Sequence, residues 1–188
     1  SVPWDLMTML LARELQRANA QEQLSSIDLW DKIRSAPSGG TLETALGEKP
    51  RGWAGQDYNE SAETPNLLAE AGLDFVLDWP NDDEPYFMRT DPLLVSVPNQ
   101  SEWDDGQLFA VRQVDTWRYP ELITSAYEHL ATESGRMLGL SIHPWIFGQA
   151  QRIKYLEEAV AAIAGKPDAW FTGPEEIAAT FRAQRPCL

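Results

Sequence analysis

His129 and His143 are the only two histidines in this chain of 188 residues, and imidazole is the ordinary side chain whose charge changes near neutral pH. His143 has the more informative setting. It closes the apolar run Met137-Leu138-Gly139-Leu140-Ser141-Ile142 and is followed by Pro144, Trp145 and a helix expected from Gln149. That layout predicts a buried strand over 138–143 with an imidazole at its carboxyl end, where α/β barrels place side chains that do chemistry. An imidazole so placed can give or take a proton at working pH. A hydrogen-bonded core histidine is the plainer alternative for the same position. His129 lies mid-helix beside Glu128 and is expected to face solvent or a partner.

The other candidates are carboxylates and indoles. Asp78 and Trp79 end the run Leu73–Trp79, Trp53 follows a glycine at an expected turn, and Trp145 lies two residues beyond His143. Clustering at strand ends favours a pocket wall for Trp53, Trp79 and Trp145 over plain core, while Asp78 serves equally well as a strand-end cap. Glu102 and Asp104 follow another expected strand and could reach the same pocket. Asn81-Asp82-Asp83-Glu84 is rich in oxygen ligands but lacks a spaced Ca²⁺ loop, so it reads as a solvated loop. An amino-terminal Ser1 could act as a nucleophile through its own amine; nothing else in the chain supports this, and trimming is the simpler explanation.

These side chains need elements to hold them. A helix is predicted over 3–20, with Pro3 in its first turn and an apolar stripe through Leu6, Met9 and Leu10, and a shorter one over 27–34. Residues 35–41, Ser-Ala-Pro-Ser-Gly-Gly-Thr, form the best linker in the chain, and the domain boundary is placed there. Beyond it the pattern alternates. Short strands are expected at 51–55, 73–79, 92–98, 138–143 and 169–172. Helices are expected from Thr64-Pro65 to Gly72, over 120–134, over 149–164 ending at Gly165, and over 174–182, with a turn at Asp104-Asp105-Gly106. Strands alternating with helices of this length point to a parallel sheet or barrel.

Composition sets outer limits. Hydrophobic residues make up 43%, enough for one core. The formal net charge of −14 and a pI of about 4.4 oppose binding to nucleic acid or anionic membrane. Cys187 is the only cysteine, so no internal disulfide forms. This favours a reducing, cytoplasmic setting. No run is long and apolar enough to span a bilayer, and none reads as a signal peptide. Eight tryptophans mark core, partner or sugar-binding surface.

Taken together, three segments resemble a known family. They are Gly47-Glu48-Lys49-Pro50-Arg51-Gly52-Trp53; Thr64-Pro65-Asn66-Leu67-Leu68-Ala69-Glu70-Ala71-Gly72 leading to Asp78-Trp79; and Leu140-Ser141-Ile142-His143-Pro144-Trp145 with Gly148, Arg152 and Trp170-Phe171-Thr172-Gly173-Pro174-Glu175-Glu176-Ile177. In order and spacing they resemble the carboxyl-terminal half of the polysaccharide deacetylases, the NodB-homology superfamily, nearest the branch of metal-independent allantoinases and cyclic-imide hydrolases. The similarity runs from about residue 45 to 182.

The resemblance implies a partial or irregular (β/α) barrel over 41–188, with 1–40 as a helical arm unlike the family. It implies hydrolysis of a non-peptide C–N bond in a small amide or an N-acetylated sugar. His143 would be the general acid that protonates the leaving nitrogen, Asp78 would buttress it, and Trp53 and Trp79 would line the substrate pocket; Trp145 and Glu102 are added to that wall on their positions near strand ends. The family's first half carries an Asp-Asp pair and a His-x-x-x-His pair. Neither is matched here, and Asp82-Asp83 and Asp104-Asp105 follow the Asp-Trp motif instead of preceding it. No metal ligand is therefore assigned in this chain; a divalent metal such as Zn²⁺ would be held mainly by residues outside it. The base would come from a second chain, a cleaved fragment or a homo-oligomer, which would also cover the open edge of half a barrel. Two other readings stay open: a non-catalytic relative that binds a ligand in a Trp-rich cleft, and a structural subunit that docks a partner through its first helix.

Overall fold

The structure, a computed structural model, describes residues 49–55 and 58–185. The arm over 1–40 with its two expected helices, the 35–41 linker, Ser1, Gly47-Glu48 and Cys187 lie outside the described residues. What is described is a mixed α/β fold of four short strands and five α-helices. It divides into two compact units. One takes the described residues up to Asp78 together with Met88–Leu94; the other takes Trp79–Phe87 and the described residues from Val95 onward.

The first unit contains a β-α-β element. Strand β1 (Gly52–Trp53) pairs in parallel with β2 (Phe75–Val76), in the register Gly52↔Phe75 and Trp53↔Val76. Helix α1 (Thr64–Glu70) lies between them in sequence. Gly52 is required by a close approach: a Cβ there would fall 2.1 Å from the ring of Phe75, so any side chain would evict the aromatic ring that β2 buries. Leu68, Ala69, Phe75, Val76 and Leu94 are buried in this unit. The expected stop at Gly72 is present: the chain turns there with φ +76°, a conformation that glycine adopts without Cβ strain. Lys49 Nζ donates to Ala71 O at 2.8 Å, closing the same helix end.

In the second unit β3 (Tyr86–Phe87) pairs antiparallel with β4 (Val95–Ser96). β3 has no counterpart among the strands expected from sequence. Helices α2 (Tyr119–Leu130), α3 (Pro144–Phe147), α4 (Ile153–Ala164) and α5 (Pro174–Gln184) follow. A π-type turn over Gln107–Val111 and a 3₁₀ turn over Thr116–Arg118 lead into α2. The core joins Leu108, Tyr119, Ile123, Phe147, Ala159 and Ile163. The buried pairs Tyr119/Ile123 and Ala159/Ile163 each repeat at four residues, the helical spacing that turns one face of α2 and one of α4 toward the core. Burying a side chain such as Ile123 or Ile163 contributes roughly 1.5–3 kcal/mol. No side-chain cap hydrogen bond closes the start of any of these helices. A cap contributes only about 1 kcal/mol, so packing sets the helix positions, aided by proline in the first turn of α1, α2, α3 and α5.

Two expected strands are absent. Residues 169–172 carry no strand, and neither do residues 138–143, which are half-buried where a buried strand was expected. The second case has a clear cause. Along one edge of this segment the backbone partners come at every second residue. Met137 N–H donates to Asp83 O at 2.8 Å. Gly139 N–H donates to Gln100 Oε1 at 2.6 Å. Ser141 O accepts Asp105 N–H at 3.2 Å, and His143 N–H donates to Asp105 Oδ2 at 2.9 Å. Alternation of this kind is what an extended chain offers a neighbour, but two of the four partners here are side chains. The segment has the hydrogen-bond rhythm of a strand without a strand beside it among the described residues. Among the described residues β1 and β2 pair in parallel, β3 and β4 pair antiparallel, and no closed barrel forms.

Candidate functional site

His143 ends the 137–143 segment and precedes Pro144, the first residue of α3. Its backbone is extended there, with φ −102° and ψ 118°. Its Nδ1 lies 2.5 Å from Asp105 Oδ1, and its own N–H reaches Asp105 Oδ2. One carboxylate thus holds both the ring and the main chain of the same histidine. Asp105 is fully buried, whereas the His143 side chain is 31% exposed. The imidazole is therefore anchored by a buried carboxylate while remaining partly exposed, and it is not enclosed in the core. Trp145, 65% exposed, sets its ring 4.7 Å from the imidazole at 60°.

Asp104 is also buried and accepts Gln107 N–H through Oδ1 at 2.7 Å, which starts the helical turn that follows. Gly106 brings bare backbone against the imidazole: a Cβ there would stand 3.0 Å from Asp104 Oδ1 and 3.7 Å from His143 Cε1. Beneath lies Tyr119, fully buried, with its ring 4.7 Å from that of Phe147. Its hydroxyl has no hydrogen-bond partner among the described residues. Burial first, then the charges of Asp105 and Asp104, raise the phenol well above its ordinary range and keep it neutral.

Among the described residues Asp105 binds both the ring and the backbone N–H of His143, whereas the resemblance implied Asp78 as its buttress. Asp78 belongs to the first unit, where both of its oxygens take Gly55 N–H at 2.8 and 2.7 Å. Burial pushes its carboxyl up from the ordinary range; hydrogen bonds from Glu60, Gly55 and Trp53 pull it part of the way back. Trp53, in β1, is half-buried and shares this knot; Trp79 is half-buried in the second unit, and Glu102 is exposed. The structure thus brings His143 and Trp145 together in the second unit, and Asp78 and Trp53 in the first. Asp105 and Gly106 carry the site but were read in the sequence only as a turn. The signal available was the doubled aspartate followed by glycine, next to an expected strand end, in a chain with two histidines.

Asp104, Asp105 and His143 offer ligand atoms within 4.8 Å of one another, with donor types that suit a transition metal. Their arrangement does not fit a shared ion. Zn²⁺ binds imidazole N and carboxylate O at about 2.0–2.2 Å, which puts two tetrahedral donors about 3.3 Å apart. Asp105 Oδ1 and His143 Nδ1 are separated by 2.5 Å, a distance that holds a proton.

No protein-family model matches the chain, and no curated protein matches it. Solved structures do. The Puue allantoinase superposes with a TM-score of 0.74 at 22% identity, covering 88% of this chain and 56% of that one. A polysaccharide deacetylase from Mycobacterium smegmatis gives 0.70 at 27% identity, covering 77% and 53%. One from Pseudomonas aeruginosa PAO1 gives 0.70 at 21%, covering 78% and 51%. These neighbours, polysaccharide deacetylases and an allantoinase, are consistent with the NodB-homology superfamily. The chain spans about half the length of each.

Proposed function

We propose that this chain is the acid-bearing part of a deacetylase- or amidohydrolase-like hydrolase acting on a non-peptide C–N bond. The observation that carries the reading is the grip of a fully buried Asp105 on a partly exposed His143. A carboxylate on Nδ1 fixes the ring's orientation and stabilises the imidazolium, as in other histidine–aspartate pairs. Nε2, the ring nitrogen turned away from that bond, then carries the proton to be given up. Cleavage of a C–N bond expels an amine or amide nitrogen that must be protonated as it leaves. The imidazolium supplies that proton from Nε2 and relaxes to the neutral ring, which still donates from Nδ1 to Asp105. Trp145, exposed beside the ring, offers a flat apolar face to a small amide or an N-acetylated sugar. Trp53, Trp79 and Glu102 remain candidates for the rest of the substrate wall.

The base, and a divalent metal if the reaction uses one, come in this reading from residues outside the described part, on a partner chain or a second copy. The single cysteine keeps cytoplasmic residence within the same reading. The test is to isolate the chain from its natural source under native conditions and measure particle mass, bound metal and hydrolysis of N-acetylated oligosaccharides and of cyclic ureides. A larger particle whose activity is lost in the His143→Gln chain supports the proposal. A monodisperse particle near 21.1 kDa that is fully active removes the partner, and activity untouched by His143→Gln removes the acid.

A further inference from the structure

We infer that Gln100 is a positioning residue for the His143–Asp105 pair. Gln100 is 3% exposed, and both ends of its amide are engaged. Nε2 donates to Asp83 Oδ1 at 2.6 Å, and Oε1 accepts Gly139 N–H at 2.6 Å. A buried amide left unpaired is costly, about 1–3 kcal/mol for each orphaned group, so these two bonds dictate where its side chain sits. They bridge three stretches of chain that are far apart in sequence: the 81–84 loop, the segment leading to Asp105, and the segment leading to His143.

The placement gives this bridge its purpose. Gln100 lies five residues before Asp105, and Gly139 lies four before His143. The two segments are tied at Gln100–Gly139, at Asp105–Ser141 and at Asp105–His143. Only the first of these ties lies outside the pair itself. Gly139 permits it: a Cβ there would stand 3.3 Å from Pro98 O and 3.6 Å from Gln100 Oε1. Because no strand among the described residues flanks 137–143, the Gln100 amide does what a neighbouring strand would do and fixes the register in which His143 arrives over Asp105. Asp83 fixes the amide's orientation in turn. As a carboxylate it accepts only, so Nε2 faces it and Oε1 must face Gly139.

That polarity supplies the test. Gln100→Glu removes the donor and sets a second carboxylate against Asp83. Asp83→Asn combined with Gln100→Glu reverses the polarity and restores both bonds, since the asparagine amide donates and the glutamate still accepts from Gly139. In proton NMR of the full chain, the Nδ1 proton of His143 in its short bond to Asp105 is expected far downfield, displaced or lost in Gln100→Glu, and restored in the double variant. A merely structural role would not give that recovery at a single proton. The activity consequence rests on the hydrolase reading. There kcat falls about tenfold in Gln100→Glu with KM little changed, less than the ~100-fold that a 1 Å misplacement can cost, and recovers in the double variant. If Gln100→Glu does not fold, the double variant decides alone: a wild-type resonance supports the inference and an unfolded chain overturns it. A wild-type resonance in a folded Gln100→Glu chain, or no recovery in the double variant, also overturns it. The expected resonances in a chain with no hydrolysis at all would retire the hydrolase reading and leave the positioning role standing.

Discussion

Asp78 and Asp105 are two buried aspartates in two separate units, and each uses both carboxylate oxygens. Asp78 spends both on the backbone N–H of Gly55; Asp105 divides them between a backbone N–H and an imidazole. The first arrangement also takes hydrogen bonds with Glu60 and Trp53, so its titratable neighbour is another acid; burial prevails, and the carboxyl is raised from its ordinary range. The second ends at a ring that can become a cation and whose side chain is 31% exposed. Burial alone does not mark a functional carboxylate. What marks it is a basic titratable partner that is itself partly exposed.

The hardest test of this contrast is at the ring. His143→Gln is expected to lower kcat of the native particle by about 10²–10⁴-fold, the usual range for a general acid, measured on whichever amide proves to be the substrate. A loss below threefold would erase the distinction between the two units. Asp105→Asn should follow, with a fall of about 10²-fold or more, since an asparagine can reverse the tautomer that the carboxylate enforces. Asp78→Asn assayed beside it should change kcat by less than about threefold. Equal losses at both aspartates would return Asp78 to the buttressing role that the resemblance implied.

A pH experiment sharpens the comparison further. The folded-state pKa of Asp78 lies above its unfolded value, so the folded chain binds the extra proton and its stability is fully present below the unfolded pKa of about 3.9. That part is lost as pH rises through the folded pKa. Asp78→Asn does not titrate. In urea unfolding, wild-type stability relative to Asp78→Asn should therefore fall as pH rises from 4, then level off. A flat difference across that window would mean that the burial of Asp78 is relieved by other groups. The smallest effect is expected at Tyr119. Its hydroxyl is buried without a partner among the described residues, so Tyr119→Phe should stabilise the chain by up to about 1 kcal/mol, seen as a rise in Tm. Destabilisation would reveal a partner for the hydroxyl beyond the described residues.

Much of the frame is legible in the residues. Pro65, Pro120 and Pro174 announce helix starts, Gly72 and Gly165 announce ends, and the apolar centres at Phe75-Val76 and Val95 announce strands; the short helix that opens at Pro144 is not expected from the sequence, which reads as helical from Gln149. Helix bounds shift by a few residues, as at α4, because hydrogen-bonded turns over 149–155 precede Ile153. The site was half legible. His143 stood out by rarity and by the Pro144 that follows it. Asp105 did not, because Asp-Asp-Gly is ordinary turn chemistry and only the folded chain brings a residue 38 positions away under the imidazole. The missed strand at 138–143 has the same origin. An apolar run shows that a segment is extended and half-buried, and it is silent on whether amides or carboxylates from distant side chains complete its hydrogen bonds.

The double hold of Asp105 on His143 has one more consequence. In most histidine–carboxylate pairs the ring can pivot about its own Cα–Cβ bond while the peptide stays put. Here a swing of the imidazole away from Oδ1 leaves the same carboxylate still clasping the peptide, and a shift of the peptide drags the ring with it. Side chain and main chain answer to one anchor, so the proton is offered at a single point in space and the incoming molecule must come to it.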